Sequence, residues 1–193
     1  MVKTANIQSI VYTLDELRPI RSSIDQCRSY LVRFIQQYKS VDLLELETRL
    51  LSRCVYKNWN ARRAELGIQA SRRTVRLLER CIIKRENHLE QLLIEFKPDD
   101  VEIRLPSRGT LNQLLIRLEE SRLLLTKIKH LSKTTIDRLR LECSRANYVH
   151  YNILMMSLCS RIYFLVLALE KAEKEICSNM KKSIKIFKKK TKE

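Results

Sequence analysis

The chain has 193 residues, of which 45% are apolar, and carries a formal net charge of +16. That apolar share is enough to bury a core, which excludes an intrinsically disordered protein. Two glycines and three prolines leave few turn-formers, which argues against many short strands and predicts an all-α fold. The expected architecture is an antiparallel bundle of about five helices, the last two long, forming one domain over residues 1–180 with a lysine-rich tail over 181–193.

In chain order, the leader to Pro19 is weakly patterned, and Met1 to Ile10 lacks the sustained apolar stretch of a cleavable signal peptide. Ile24, Cys27, Leu31, Phe34, Ile35 and Tyr38 recur at helical spacing and predict a first helix over about Ser22 to Tyr38. Asp42, with Glu45 three residues on, reads as a capping box opening a second helix. Leu43, Leu46, Leu50, Cys54 and Val55 are its expected inward residues, with Arg49, Arg53 and Lys57 on another side.

Between Tyr56 and Ala70 the apolar period lapses, and Asn58, Asn60 and Gly67 predict a turn or kinked connection. A third helix resumes near Ser71 with Val75, Leu78, Ile82, Leu89, Leu92 and Phe96 inward, and Pro98-Asp99-Asp100 ends it. The segment up to Pro106 reads as a loop. Ser107 is the expected N-cap of a long fourth helix carrying Leu111, Leu114, Leu115, Leu118, Leu125, Ile128, Leu131 and Leu139. A break near Ala146-Asn147 precedes a fifth helix whose run from Ile153 to Leu169 is apolar nearly all round, which predicts a central position. A membrane span wants about 20 apolar residues, and an arginine at its centre costs about 2.5 kcal/mol or more. This run is shorter and has Arg161 midway, so a core helix is expected instead. Arg161 then needs a carboxylate, for which Glu119, Glu120 and Glu142 are candidates, or it lies at a partner-facing edge.

Charge is concentrated. Arg53 to Arg85 holds ten Lys or Arg against two Glu, and Lys181 to Glu193 holds seven Lys against one Glu. Arg72, Arg76, Arg80 and Lys84 fall four apart, with Arg73 and Arg85 beside them, and so form a ridge on a helix. A solvated face laced with i,i+4 ion pairs would alternate in sign, whereas only Glu65 and Glu79 interrupt here. A concentrated positive strip suits a polyanion, and arginine's planar fork pairs with phosphate and stacks on bases. Tyr56 and Trp59 interleave with the strip and offer either stacking surfaces or core packing. The lysine tail suits phosphate contacts without sequence preference, or a nuclear address.

Catalysis has no foothold, since there is no glycine-rich phosphate loop, no paired histidines and no nucleophile beside an evident base. No cofactor is expected. Six scattered cysteines without a C-x-x-C pair read as small apolar residues of a reducing compartment, and three distant histidines predict no metal site. Asp99, Asp100 and Glu102 read as a solvated loop.

At several of these residues the chain resembles the N-terminal domain of the nucleolus and neural progenitor protein family, related to the yeast protein subunit specific to RNase MRP. The resemblance rests on Leu51, Cys54 and Tyr56, then Asn58-x-Asn60-x-x-Arg63 and the basic helix. Further on it includes Leu105-Pro106-Ser107 with its leucine helix, and Leu158-Cys159-Ser160-Arg161-Ile162-Tyr163. Tyr163 stands where tryptophan is commoner in the family. The resemblance implies a nuclear, nucleolar, non-catalytic subunit of a ribozyme-based endoribonuclease that processes precursor ribosomal RNA, with structured non-coding RNA and other protein subunits as partners. Arg53, Lys57, Asn58, Trp59, Asn60, Arg62, Arg63, Arg72, Arg73, Arg76, Arg80 and Lys84 are the expected RNA contacts, and Arg161 a structural or partner contact. The rival expectation is a helical adaptor whose basic face meets an acidic protein. A membrane-surface role for the tail is a third.

Overall fold

A computed structural model describes residues 9–12, 39–85 and 103–184, with scattered positions between 18 and 32. The elements are β1 (Ser9–Tyr12), α1 (Lys39–Arg62), α2 (Leu66–Arg85), β2 (Ile103–Pro106), α3 (Arg108–Ser144) and α4 (Val149–Ser183). The all-α expectation holds, with the last two helices long as anticipated. Of the expected helix over 22–38, only Ser22, Asp25, Gln26, Arg28, Ser29 and Val32 are described, and these are helical. Its remainder, the distal half of the third helix, the acidic loop at 99–102 and the tail beyond 184 lie outside the described residues.

The chain divides into two compact units, one of Tyr38–Arg85 with Ser121–Lys171, the other of Met1–Gln37, Glu86–Glu120 and Ala172–Glu193. In the first unit four helices share one core. Leu44, Leu51 and Val55 come from α1, Ile68, Val75, Leu78 and Cys81 from α2, and Leu125, Ile128 and Leu139 from α3. Met155, Leu158, Cys159, Ile162, Val166 and Leu169 complete it from α4. The buried hydroxyls of Thr74 and Thr135 meet across the α2–α3 contact, Thr74 Oγ1 lying 3.2 Å from Thr135 Oγ1 and also donating to the Ala70 carbonyl, whereas the buried Ser132 hydroxyl has no partner among the described residues. Lys129 and Thr126 of α3 both donate to Glu170 of α4. Burial alone would raise the Glu170 pKa, but these two donors hold its carboxyl below the ordinary carboxylate range.

In the second unit Ser107 caps α3 as expected, its Oγ accepting from the Thr110 amide at 3.2 Å. Leu111, Leu114 and Leu118 are buried there, as are Ile176, Cys177, Met180 and Ile184. Lys181 pairs with Glu119 at 2.6 Å. The leader and the segment before Pro106, which read as unpatterned chain and loop, instead pair as a short antiparallel ladder with Ser9 opposite Pro106 and Tyr12 opposite Ile103.

Three expectations about faces and boundaries are corrected. First, α1 starts at Lys39, so Asp42 lies in its first turn and not at its cap. Second, α1 buries the expected Val55 and packs the expected Cys54 against the core, but further up it turns Leu44, Thr48 and Leu51 inward and leaves the expected Leu43, Leu46 and Leu50 exposed. Thr48 is tolerated inside because its hydroxyl donates to the Leu44 carbonyl at 2.6 Å. Third, α4 is not wrapped on all sides. Ile153, Leu154, Phe164 and Leu167 are exposed opposite its buried face. By length and composition α4 is apolar enough to cross a membrane, with a mean hydropathy of 1.8 over its best stretch.

The α3–α4 break falls where anticipated. The Asn147 amide donates to the Glu142 carbonyl and the Ala146 amide to that of Cys143, closing a Schellman motif with Ala146 at φ 58°. A side chain in the left-handed region costs roughly 1–2 kcal/mol, which glycine avoids. Ala146→Gly is therefore expected to stabilise the protein by about 1 kcal/mol in urea denaturation; an unchanged or lower midpoint would contradict this account of the turn.

Candidate nucleic-acid interface

Val55 of α1 and Val75 of α2 are buried in the shared core, and over them lies an open groove of about 470 Å³ between the two helices. Ser52, Tyr56, Lys57, Trp59 and Asn60 line it from α1, with Arg72, Arg76 and Glu79 from α2. Trp59 packs partly on the core, and the Arg72 guanidinium lies over its ring, 3.8 Å from the centroid. Such a cation–π contact pins both side chains. Tyr56 is the opposite case, 84% exposed at the groove edge.

Around this groove the cations fan out. Each four-residue step on a helix advances about 40°, so Arg72, Arg76 and Arg80 drift progressively round α2. Arg72 and Arg76 face the groove, while Arg73 and Arg80 are exposed beyond its lining. Arg53 and Lys57 are exposed on α1, and Arg63 is exposed in the turn that follows it. Among the described residues, none of Arg53, Lys57, Arg63, Arg72, Arg73, Arg76 and Arg80 is held in an ion pair. Neighbouring Arg49 differs, being paired with Glu45. Lys84 lies in α2, but its side chain is outside the described residues.

The asparagine turn is not a turn. Asn58 and Asn60 lie inside α1, which runs unbroken to Arg62, and the reversal occupies Arg63 to Glu65. The Asn58 amide donates to the Cys54 carbonyl at 2.8 Å, so this side chain is engaged within its own helix. Asn60 is exposed on the groove.

Arg62 must be withdrawn from the RNA contacts. It is 2% exposed. Its Nε donates to Glu65 Oε2 at 2.8 Å and its Nη2 to Asn152 Oδ1 at 2.6 Å, while Glu142 Oε2 lies 3.5 Å from Nη2. The Tyr148 ring sits 4.4 Å from the guanidinium carbon. Glu142 also accepts from the Gly67 amide at 2.7 Å, and a Cβ on Gly67 would lie 2.8 Å from this carboxylate. Glycine is required there for close approach, not for a turn. Burial pushes the Glu142 pKa up; the Gly67 amide pulls it down, and the nearby Glu65 carboxylate raises it again. The outcome is a raised value. One guanidinium thus ties the end of α1 to the α3–α4 turn, and no phosphate can reach it.

Arg161 is also reassigned. It pairs with Glu47 of α1, Nε to Oε1 at 2.8 Å, and with none of the three expected carboxylates. Its side chain is about half exposed, and the exposed Leu43 and Leu50 lie one turn either side of Glu47. Cys159 beside it is inert, its thiol pushed up to about 12 by burial.

A family model described as nucleolus and neural progenitor protein, N-terminal, matches residues 9–182, spanning both strands and nearly all of the four helices. The chain belongs to this family. No curated protein and no solved structure gives a significant match. The family's name marks it as nucleolar. In this member of the nucleolus and neural progenitor protein family, two of the resemblance segments fall at structural joints, while Leu105 to Ser107 lie at the end of β2 and the cap of α3. Leu51 to Arg63 cover the α1 half of the groove and the reversal after it, and Leu158 to Tyr163 cover the stretch of α4 that meets α1 through Arg161 and Glu47.

Proposed function

We propose that the chain is a non-catalytic, RNA-binding structural subunit of a nucleolar ribonucleoprotein of the RNase MRP kind, acting in precursor ribosomal RNA processing. The observation that carries this reading is the set of unpaired cations around an aromatic-edged groove. Structural ion-pair networks consume their charges, and these side chains are left unneutralised toward solvent. Such a surface gains free energy by releasing counterions from a phosphate backbone. The family's nucleolar name supplies the compartment for the proposal.

Other protein subunits belong to the same proposal. Leu43, Leu46 and Leu50 on α1 form an exposed apolar stripe beside the half-exposed Arg161. This stripe also favours the second reading, an adaptor that binds proteins and no RNA. Purification of the full chain from cells with and without RNase treatment separates the two. Co-purification of one structured non-coding RNA, with partners lost on RNase treatment, is expected. Partners retained with no RNA present would overturn the RNA reading in favour of the adaptor.

A further inference from the structure

The groove contains one residue that phosphate binding does not explain. Glu79 lines it alongside Arg72 and Arg76, is exposed, and makes no ion pair among the described residues. A free carboxylate at a polyanion site repels the phosphates its neighbours attract. It suits a different task, accepting hydrogen bonds from a base edge, where ionised carboxylates act as acceptors for two donors at once.

The rest of the groove has the features of a base slot. Its floor is apolar, Val55 and Val75 being buried, and so offers nothing to a phosphate. The Arg72 guanidinium carbon stands 3.8 Å over the Trp59 ring, and a guanidinium seated on one aromatic face can stack a base on its other. Tyr56, almost wholly exposed, gives an aromatic surface at the edge. A volume of about 470 Å³ falls within the range of small-ligand sites.

We infer that the α1–α2 groove receives a single unpaired guanine of the bound RNA, stacked against Arg72 and Tyr56, with Glu79 reading its Watson–Crick edge. Guanine is the base that presents two adjacent donors there, N1–H and N2–H, to one carboxylate. Adenine and cytosine present one amino donor next to an acceptor, and uracil one donor between two carbonyls. A duplex cannot enter, because its base faces are already stacked. The inference rests on the RNA-binding reading above and adds a specificity to it.

The test uses the full chain and short oligouridylates that carry one central guanine, adenine or cytosine, or none. The guanine oligomer should bind about tenfold tighter than the others, the size of one good bidentate base contact. Glu79→Gln should remove that preference while leaving affinity for plain oligouridylate undiminished, since the variant loses a repulsive charge. Tyr56→Ala should weaken binding of the guanine oligomer by roughly tenfold, as loss of one stacking surface does. Salt-dependent binding of all four oligomers with equal affinity would overturn the guanine slot and leave the RNA-binding reading intact. Binding of none would overturn both.

Discussion

Replacing Arg62 with alanine is expected to cost about 3–5 kcal/mol of stability, the usual consequence of removing one partner from a buried ion pair. The variant leaves the Glu142 carboxylate without its guanidinium and Asn152 Oδ1 without a donor, both in the interior. Asn152 Nδ2 still donates to the Asn147 carbonyl, but the tie between that turn and the end of α1 is gone. Arg62→Lys should recover only part of the loss, because an ammonium cannot place donors at Glu65 and Asn152 in one plane. Chemical denaturation of the full chain measures both. A near-neutral Arg62→Ala would mean that the guanidinium is not the tie between these joints, and would return Arg62 to the surface cations.

The second large effect concerns recognition and leaves stability alone. Arg73, Arg76 and Arg80 are exposed on α2 and make no ion pair among the described residues. Reversing all three to glutamate should leave helical circular dichroism and the unfolding midpoint unchanged. If the groove and its flanks engage about six phosphates, the wild-type log–log salt slope is roughly −4 to −5. Loss of three of those contacts should reduce its magnitude by about 2. Affinity at near-physiological salt should fall by a factor of about 100 or more, since three attractions become three repulsions. Arg72 is left out of this set because its contact with Trp59 joins α1 to α2, and its loss would mix folding with binding. An unaltered slope in the triple variant would place the phosphates on another face.

Periodicity carried much of the fold. The apolar spacing of α3, its serine cap and the break before α4 are all local features, and all appear where the residues put them. The same kind of reasoning failed on α1, because that helix has two stripes at helical spacing. Leu43, Leu46 and Leu50 form one, and Leu44, Leu51 and Val55 the other. Spacing cannot choose between them. The choice is made by tertiary partners and by Thr48, a polar residue whose hydroxyl bonds back to its own helix. Asn58 and Asn60 misplaced the turn for a related reason. Asparagine is only a weak helix breaker, and a buried helix face overrides it.

The site was legible in part. The ridge spacing and the interleaved aromatics pick out Arg72, Arg76, Tyr56 and Trp59 of the candidate groove, while Arg80 lies beyond its lining. Nothing local separated Arg62 from nine other cations in the same run. Its burial depends on Glu142 and Asn152, which are 80 and 90 residues away in sequence. Sequence leaves Trp59 open between stacking and packing; it packs partly on the core, with Arg72 of the next helix over its ring. Glu79 looked like an interruption of the strip, and only its place on the groove gives it a role.

Ultraviolet crosslinking of the full chain to the RNA that co-purifies with it, with the crosslinked peptides mapped by mass spectrometry, tests the α1–α2 surface most directly. Crosslinks should concentrate on Tyr56, Trp59 and the stretch from Arg72 to Arg80. Crosslinks confined to α3 and α4, with none on the groove, would contradict the proposed interface.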